Sequence, residues 1–242
     1  MEHNINAAVC TGGTGRLMDG ELTGARFSCF TAESETELSF SPCDCFSRVL
    51  LVLSGEVEAS SAPEGGLLRE RDVYVQAPME ALAIRARKRA LLLEVLWDLT
   101  REEFEAYCGT DLPLAVAYEK APTYRETCKS EKTVSRMLIP ARTIPRLAMG
   151  SVETAGDDQV EKHTHPMVEQ FFLGLSDNHC SLIIDGVSYP FGPYTLLHIP
   201  LGSEHGVLSK EDQKVHYVWI DFLLGEEGLA YMDQAHKMNQ ET

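Results

Sequence analysis

Apolar positions along the chain fall in short runs and in alternation, and seldom at helical spacing. Arg48–Leu53, Val73–Ala77, Leu91–Leu96, Glu169–Leu173, Ser181–Ile184 and Val215–Phe222 are rich in β-branched, aromatic and aliphatic residues, at lengths that suit strands. Ser54-Gly55, Glu64-Gly65-Gly66 and Asp185-Gly186 separate such runs with residues that turn a chain. Many short strands punctuated this way predict an all-β fold, a sandwich or a barrel. Two helices are expected. Thr100-Arg-Glu-Glu103 has capping-box spacing ahead of Phe104 and Tyr107. Glu226–Met238 carries Leu229, Met232 and Ala235 along one side.

The pattern occurs twice. Cys43-Asp-Cys45 precedes Val-Leu-Leu-Val-Leu-Ser-Gly, then a segment ending at Pro78, then Leu-Glu-Val-Leu-Trp97. His163-Thr-His165 precedes Glu-Gln-Phe-Phe-Leu-Gly, then a segment ending at Pro200, then Tyr-Val-Trp219. The first interval is 35 residues in one copy and 37 in the other, and the second is 19 in both. Two copies of one strand-rich module are predicted, each followed by a short acidic helix. The expected division is an N-terminal arm over 1–24, a first barrel over 25–112 and a second over 113–242.

Composition narrows the function classes. The 242 residues carry a formal net charge of −16, with −9 over residues 1–120 and −7 over 121–242. Both halves repel phosphate backbones and anionic lipid, so neither a nucleic acid nor a membrane surface is an expected partner. The start of the chain lacks a basic region followed by an apolar core, and Val49–Leu53 and Ala90–Leu96 are too short to span a bilayer. Seven cysteines at irregular spacing argue for reduced thiols and a cytoplasmic location. The histidines are unevenly placed: His3 is alone in the first half, and the other seven lie in the second.

That asymmetry carries the chemistry. The second copy reads Gly156-x6-His163-x-His165-x3-Glu169, then Pro200-x-Gly202-x2-His205. On one continuous strand His163, His165 and Glu169 would share a face, and His205 would close the set from a neighbouring strand. Three nitrogens and one oxygen suit a divalent Fe, Mn, Ni, Co or Zn ion, and an octahedral ion would keep two positions for water or substrate.

These two segments resemble the signature motifs of the cupin superfamily, His163-Thr-His165-Pro-Met-Val-Glu169 the first and Pro200-Leu-Gly202-Ser-Glu-His205 the second. The resemblance implies tandem antiparallel β-barrels of the jelly-roll type, a bicupin. It implies metal ligation by His163, His165, Glu169 and His205, and it favours a homodimer. Six residues rather than five separate Gly156 from His163, and Gly174 follows Glu169 by five, departures that touch turns and not ligands. In the first copy Cys43 and Cys45 replace the two histidines, Val49 replaces Glu169, and no histidine follows Pro78. The first barrel is expected to have lost its metal and kept a packing role.

Other features are weaker. Ala7–Gly15 looks like a nucleotide-binding glycine turn, but Met18 stands where the third glycine belongs. Arg85, Arg87 and Arg89 with Lys88 form the one dense basic cluster, expected to pair with carboxylates on a solvated or interface strand. Candidates for acid–base work beside the metal are His198, Tyr217, Asp221 and Glu153. Parity counted from Glu169 sends Phe171 and Leu173 into the barrel beside Met167, as an apolar pocket lining.

The expected function is therefore that of a metal-dependent enzyme acting on a small carboxylic or hydroxy/keto acid. Fe would suit dioxygenation, and the other ions lyase, isomerase, decarboxylase or hydrolase chemistry. The alternative is a barrel that binds a metal or small molecule without turnover.

Overall fold

The computed structural model describes residues 5–13, 15–60 and 66–235. The turn expected at Glu64-Gly65, the histidines at 3 and 236, and residues 236–238 of the expected last helix lie outside them. The alternating runs form antiparallel strands. These are β1 (Ala7–Val9), β2 (Gly15–Leu17), β3 (Ala25–Ala32), β4 (Glu37–Phe40), β5 (Phe46–Ala59), β6 (Leu67–Arg69), β7 (Val73–Val75), β8 (Leu82–Asp98) and, after helix α1 (Arg101–Tyr107), β9 (Leu114–Val116). There follow β10 (Thr123–Tyr124), β11 (Val134–Ile144), β12 (Leu147–Ala155), β13 (Asp158–His163), β14 (Val168–Gly174), β15 (Cys180–Ile184), β16 (Val187–Phe191), β17 (Thr195–Ile199), β18 (His205–Ser209), β19 (Lys214–Leu223) and helix α2 (Glu226–Ala235). No helix among the described residues is long and apolar enough to cross a membrane.

Helix α1 begins as its sequence predicts. Thr100 Oγ1 accepts from Glu103 N–H at 3.2 Å, and the Glu103 carboxylate accepts from Thr100 N–H at 2.8 Å, so two orphan donors of the first turn are satisfied.

The chain divides into two compact units. One contains residues 10–121 with 143–145. The other contains the described residues up to Val9, then 122–142 and 146 onward. The expected boundaries differ from this in two places. Residues 113–121 stay with the first unit because β9 pairs with β7. The stretch 1–24 is no separate arm, since β1 adds to β17 in the second unit and β2 to β3 in the first. In each case a short segment satisfies the open edge of a sheet.

Both units use one strand order. The first runs β2-β3-β8-β5-β7-β9, and the second runs β11-β12-β19-β14-β17-β1, with β10 beyond β11. The second unit closes with another sheet, β13-β18-β15-β16. In the first unit the far halves of β5 and β8 do that work, β6 pairing with β5 and β4 with β8. Strand β5 changes direction through register shifts between Val52 and Val57. Gly55 permits it: its φ is +85°, and a Cβ there would lie 2.3 Å from the Arg89 carbonyl oxygen.

Each unit has its own core. Leu50, Val52, Tyr74, Ile84 and Leu92 fill the first, while Val152, Phe172, Leu182, Val207 and Tyr217 meet between the two sheets of the second. The basic cluster is a solvated ladder, Arg85 to Glu35 at 2.6 Å, Arg87 to Glu58 at 2.6 Å, Arg89 to Glu33 at 3.2 Å and Lys88 to Glu56, all within the first unit. In the segment Ala7–Gly15, Ala7–Val9 and Gly15 belong to edge strands β1 and β2, and no helix directly follows β2 among the described residues.

Candidate metal centre

Three histidines converge at one end of the second barrel. His163 ends β13, His205 begins β18 directly opposite it, and His165 sits in the turn between β13 and β14. Their ring centroids are 4.6 Å (His163–His205), 4.7 Å (His163–His165) and 5.1 Å (His165–His205) apart, and one nitrogen from each falls within 4.8 Å of the others. Among the described residues this is the one such group of potential ligands. Gly202, with φ +79°, turns the chain from β17 back into β18.

Backbone carbonyls set the imidazole tautomers. His163 Nδ1 lies 2.7 Å from the Glu161 oxygen, and His205 Nδ1 lies 3.3 Å from the Ser203 oxygen. A carbonyl only accepts, so each Nδ1 carries the hydrogen and each Nε2 presents its lone pair. His205 Nε2 is buried with no hydrogen-bond partner among the described residues. Such a buried acceptor costs about 1–3 kcal/mol unless something binds it. Burial, then the charge of His163, pushes His205 down to about 3, and burial lowers His163 as well. Neutral imidazole is the form that ligates metal, so the three residues fit a divalent ion.

Gln170, Phe172, Tyr217, Trp219 and Asp221 project into the same cavity from β14 and β19. Phe172 meets His205 edge-on at 5.6 Å and stacks on Tyr217 at 4.5 Å. Burial holds the Tyr217 phenol well above its ordinary range, so it stays protonated. The Gln170 side-chain N–H donates to Asp221 Oδ1 at 2.9 Å.

Glu126 and Lys129 line the same cavity as an ion pair whose side chains are 10% and 7% exposed. The loop bearing them is stapled to β13. The Asp158 carboxylate accepts from Ser130 at 2.8 Å and Thr154 at 2.6 Å, and Glu161 N–H donates to the Cys128 carbonyl at 2.8 Å. The space left is about 20 Å³, room for one water-sized body.

Several predicted residues stand elsewhere. Glu169, Phe171 and Leu173 occupy the opposite face of β14, so the expected four-ligand set and pocket lining do not assemble. The turn 164–167 lies between His163 and Glu169, and strand parity does not carry through a turn. The residues pointing at the triad are instead Gln170 and Phe172, whose partners across the ladder are Asp221 and Trp219. His198 is on Glu169's side: its Nε2 is 2.9 Å from Glu169 Oε2, and Phe171 stacks on it at 4.6 Å. Met167 is in the turn, at φ +55° and 37% exposed. Glu153 is held by Arg136 and Lys214, each at 3.0 Å, on β12.

Tyr217 and Asp221 do face the triad. Glu126 and Lys129 were invisible to sequence reasoning because they come from a loop with no motif. Gln170 was passed over because it adjoins a carboxylate.

In the first unit, Cys43 is fully buried beside Arg48, and burial pushes its thiol up to about 11, while Cys45 is exposed at φ +58°. The two cysteines belong to no ligand cluster, and all seven thiols of the chain are free. The larger cavity, about 440 Å³, is in this unit, lined by Ser28, Phe30, Leu38, Ser39, Phe40 and Glu94 among others.

No family model matches the chain, and no curated protein matches it in sequence. Solved structures do match its architecture. A cupin 2 conserved barrel domain protein from Leptotrichia buccalis aligns at TM-score 0.58 and 14% identity over 92% of this chain and 90% of that one. An oxalate decarboxylase from Lactobacillus farciminis aligns at TM-score 0.66 and 10% identity, over 92% and 85%. The fold is the cupin fold. An IolB-like protein from Salmonella typhimurium LT2 has it too, at TM-score 0.65 and 12% identity over 96% of this chain and all of that one. At such identities a cupin likeness fixes architecture and leaves activity to the site itself.

Proposed function

We propose that the chain is a two-barrel cupin whose second barrel binds one divalent transition metal through His163, His165 and His205 and uses it on a small oxygen-rich anion. The observation carrying this reading is the triad itself: two imidazoles with their tautomers set by carbonyls, and a buried His205 Nε2 lacking a hydrogen-bond partner. A bound ion would supply Lewis acidity, offsetting negative charge that develops on a substrate oxygen. The Tyr217 phenol, kept protonated by burial, can donate a hydrogen bond to that oxygen. Asp221 fixes the Gln170 amide, and Phe172 and Trp219 exclude water. Glu126 and Lys129 complete the lining, and a metabolite larger than water needs more room than this cavity provides as it stands.

A second reading has its own observation. About 20 Å³ holds an ion or a water and no metabolite, which favours a barrel that binds metal without turnover. Elemental analysis of anaerobically purified protein, followed by assay of small carboxylic and keto acids, tests the first reading. A protein that holds its ion and leaves every such acid unchanged, even after Lys129→Ala enlarges the cavity, establishes the second.

A further inference from the structure

We propose that Gln170, through its side-chain oxygen, is the fourth protein ligand of the metal, and that Glu169 is not a ligand. This rests on the metal reading above and departs from the ligand set that the sequence motif suggests. Glu169 and Gln170 are successive residues of β14, so they point to opposite faces. The ladder identifies the face each takes: Gln170 is opposite Asp221 and shares the triad's cavity, whereas Glu169 is opposite Phe222 and binds His198. Phe172, two residues on from Gln170 and on its face, touches His205.

The Gln170 amide is also oriented. A carboxylate at Asp221 accepts, so the NH₂ group of Gln170 must face it, at 2.9 Å, and the oxygen is the atom available to a cation. Gln170 is buried at 4% exposure, its orientation therefore fixed by packing as well as by this bond. Of the carboxylates that line the cavity, Glu126 is paired with Lys129 and Asp221 accepts from the Gln170 amide.

The consequence is electrostatic. Three imidazoles and an amide are all neutral, so the ion would keep its full charge of two, where a ligating glutamate would cancel half. In a chain of net charge −16, this gives an anion a local reason to bind that the molecular surface does not provide.

The test is titration of metal-free full-length protein with Co(II), reading affinity and the visible ligand-field spectrum. Wild type is expected to bind one ion, and His163→Ala to lose it. Gln170→Leu is expected to weaken binding about 10- to 100-fold and shift the spectrum. Gln170→Glu, nearly isosteric, is expected to tighten binding and shift it too, which keeps the test decisive if the leucine variant misfolds. Glu169→Gln should leave both readouts unchanged. Unaltered binding in both Gln170 variants, with loss in His163→Ala, overturns the ligand assignment and leaves the metal reading standing. A loss in Glu169→Gln matching that of Gln170→Leu also overturns it. Absence of Co(II) binding in wild type, or wild-type binding in His163→Ala, removes the metal reading itself.

Discussion

The two units share a strand order and differ in how they settle polar groups inside the barrel. In the first, Arg48 is buried among its own partners: Glu94 at 2.8 Å, Gln76 Oε1 at 2.6 Å and the Ser41 carbonyl at 2.9 Å, with the rings of Phe40 and Phe46 against its guanidinium. Positive and negative charge match, and nothing further is needed to complete the set. In the second, three imidazoles meet, and His205 Nε2 has no hydrogen-bond partner among the described residues. One interior is closed by its own side chains, and the other leaves a buried imidazole nitrogen for the cation proposed above. Two units of one strand order can thus fill their interiors differently, one with an internal ion pair and the other with clustered imidazoles.

The backbone differs in the same sense. In the first unit β5 and β8 run unbroken through both layers, over Phe46–Ala59 and Leu82–Asp98. In the second, the corresponding paths are interrupted between β14 and β15 and between β18 and β19. The Asp177, Lys214 and His216 contacts tie the second unit's interruptions together, at 2.7 Å and 2.6 Å from Asp177.

The sharpest way to break the comparison is to exchange what each interior depends on. His163→Ala or His205→Ala should remove nearly all of the about one ion per chain, as read by elemental analysis. The pair of substitutions Cys43→Ala and Cys45→Ala should leave the ion content unchanged. Metal lost with the cysteines would show that the first barrel is not inert.

Next in size is Arg48→Met, which leaves Glu94 buried without its partner and should cost about 3–5 kcal/mol in denaturant unfolding. Adding Glu94→Leu should recover most of that loss. If the double variant is as unstable as the single, the interior of the first unit depends on more than charge matching.

A smaller effect is graded by pH. His205 is lowered in the fold from 6.5 to about 3, so the unfolded chain binds the proton first. Stability of the metal-free protein should therefore be full above 6.5 and fall as pH drops toward about 3, by about 1.4 kcal/mol per pH unit for this residue. His163 and His216, both lowered, add in the same direction. Denaturation midpoints stepped downward from neutral pH would read this slope. A flat profile would mean that the imidazoles are not buried as neutral groups.

The least effect belongs to the ladder on the first unit. Arg85→Ala or Arg89→Ala removes an exposed cross-strand pair and should leave the melting temperature unchanged. A clear drop in either variant would give the surface pairs a role that solvent screening argues against.

Much of the fold was readable along the chain because strands, turns and caps are local. Alternation located β5, β7, β8, β14, β15 and β19, and Thr100 with Glu103 marked the start of α1. The histidines that cluster were readable too, since an HxH pair and a distant histidine stand out by composition alone. The fourth position was not. Counting by twos from His163 to Glu169 assumes one strand, and the chain instead turns at 164–167 and restarts its parity at Val168.

The amino-acid sequence by itself determined the all-β architecture, the duplicated order of elements and the imidazoles that gather in the second copy, because each depends on periodicity or on residue chemistry over short distances. Only the tertiary structure decided which face of β14 looks at the triad, that Asp221 orients Gln170, and that Glu126 and Lys129 line the cavity. Those choices depend on ladder register and on a loop folding back from beyond thirty residues away in sequence. A one-residue change of parity, which leaves the composition untouched, exchanges a carboxylate for an amide on the face that looks at the triad.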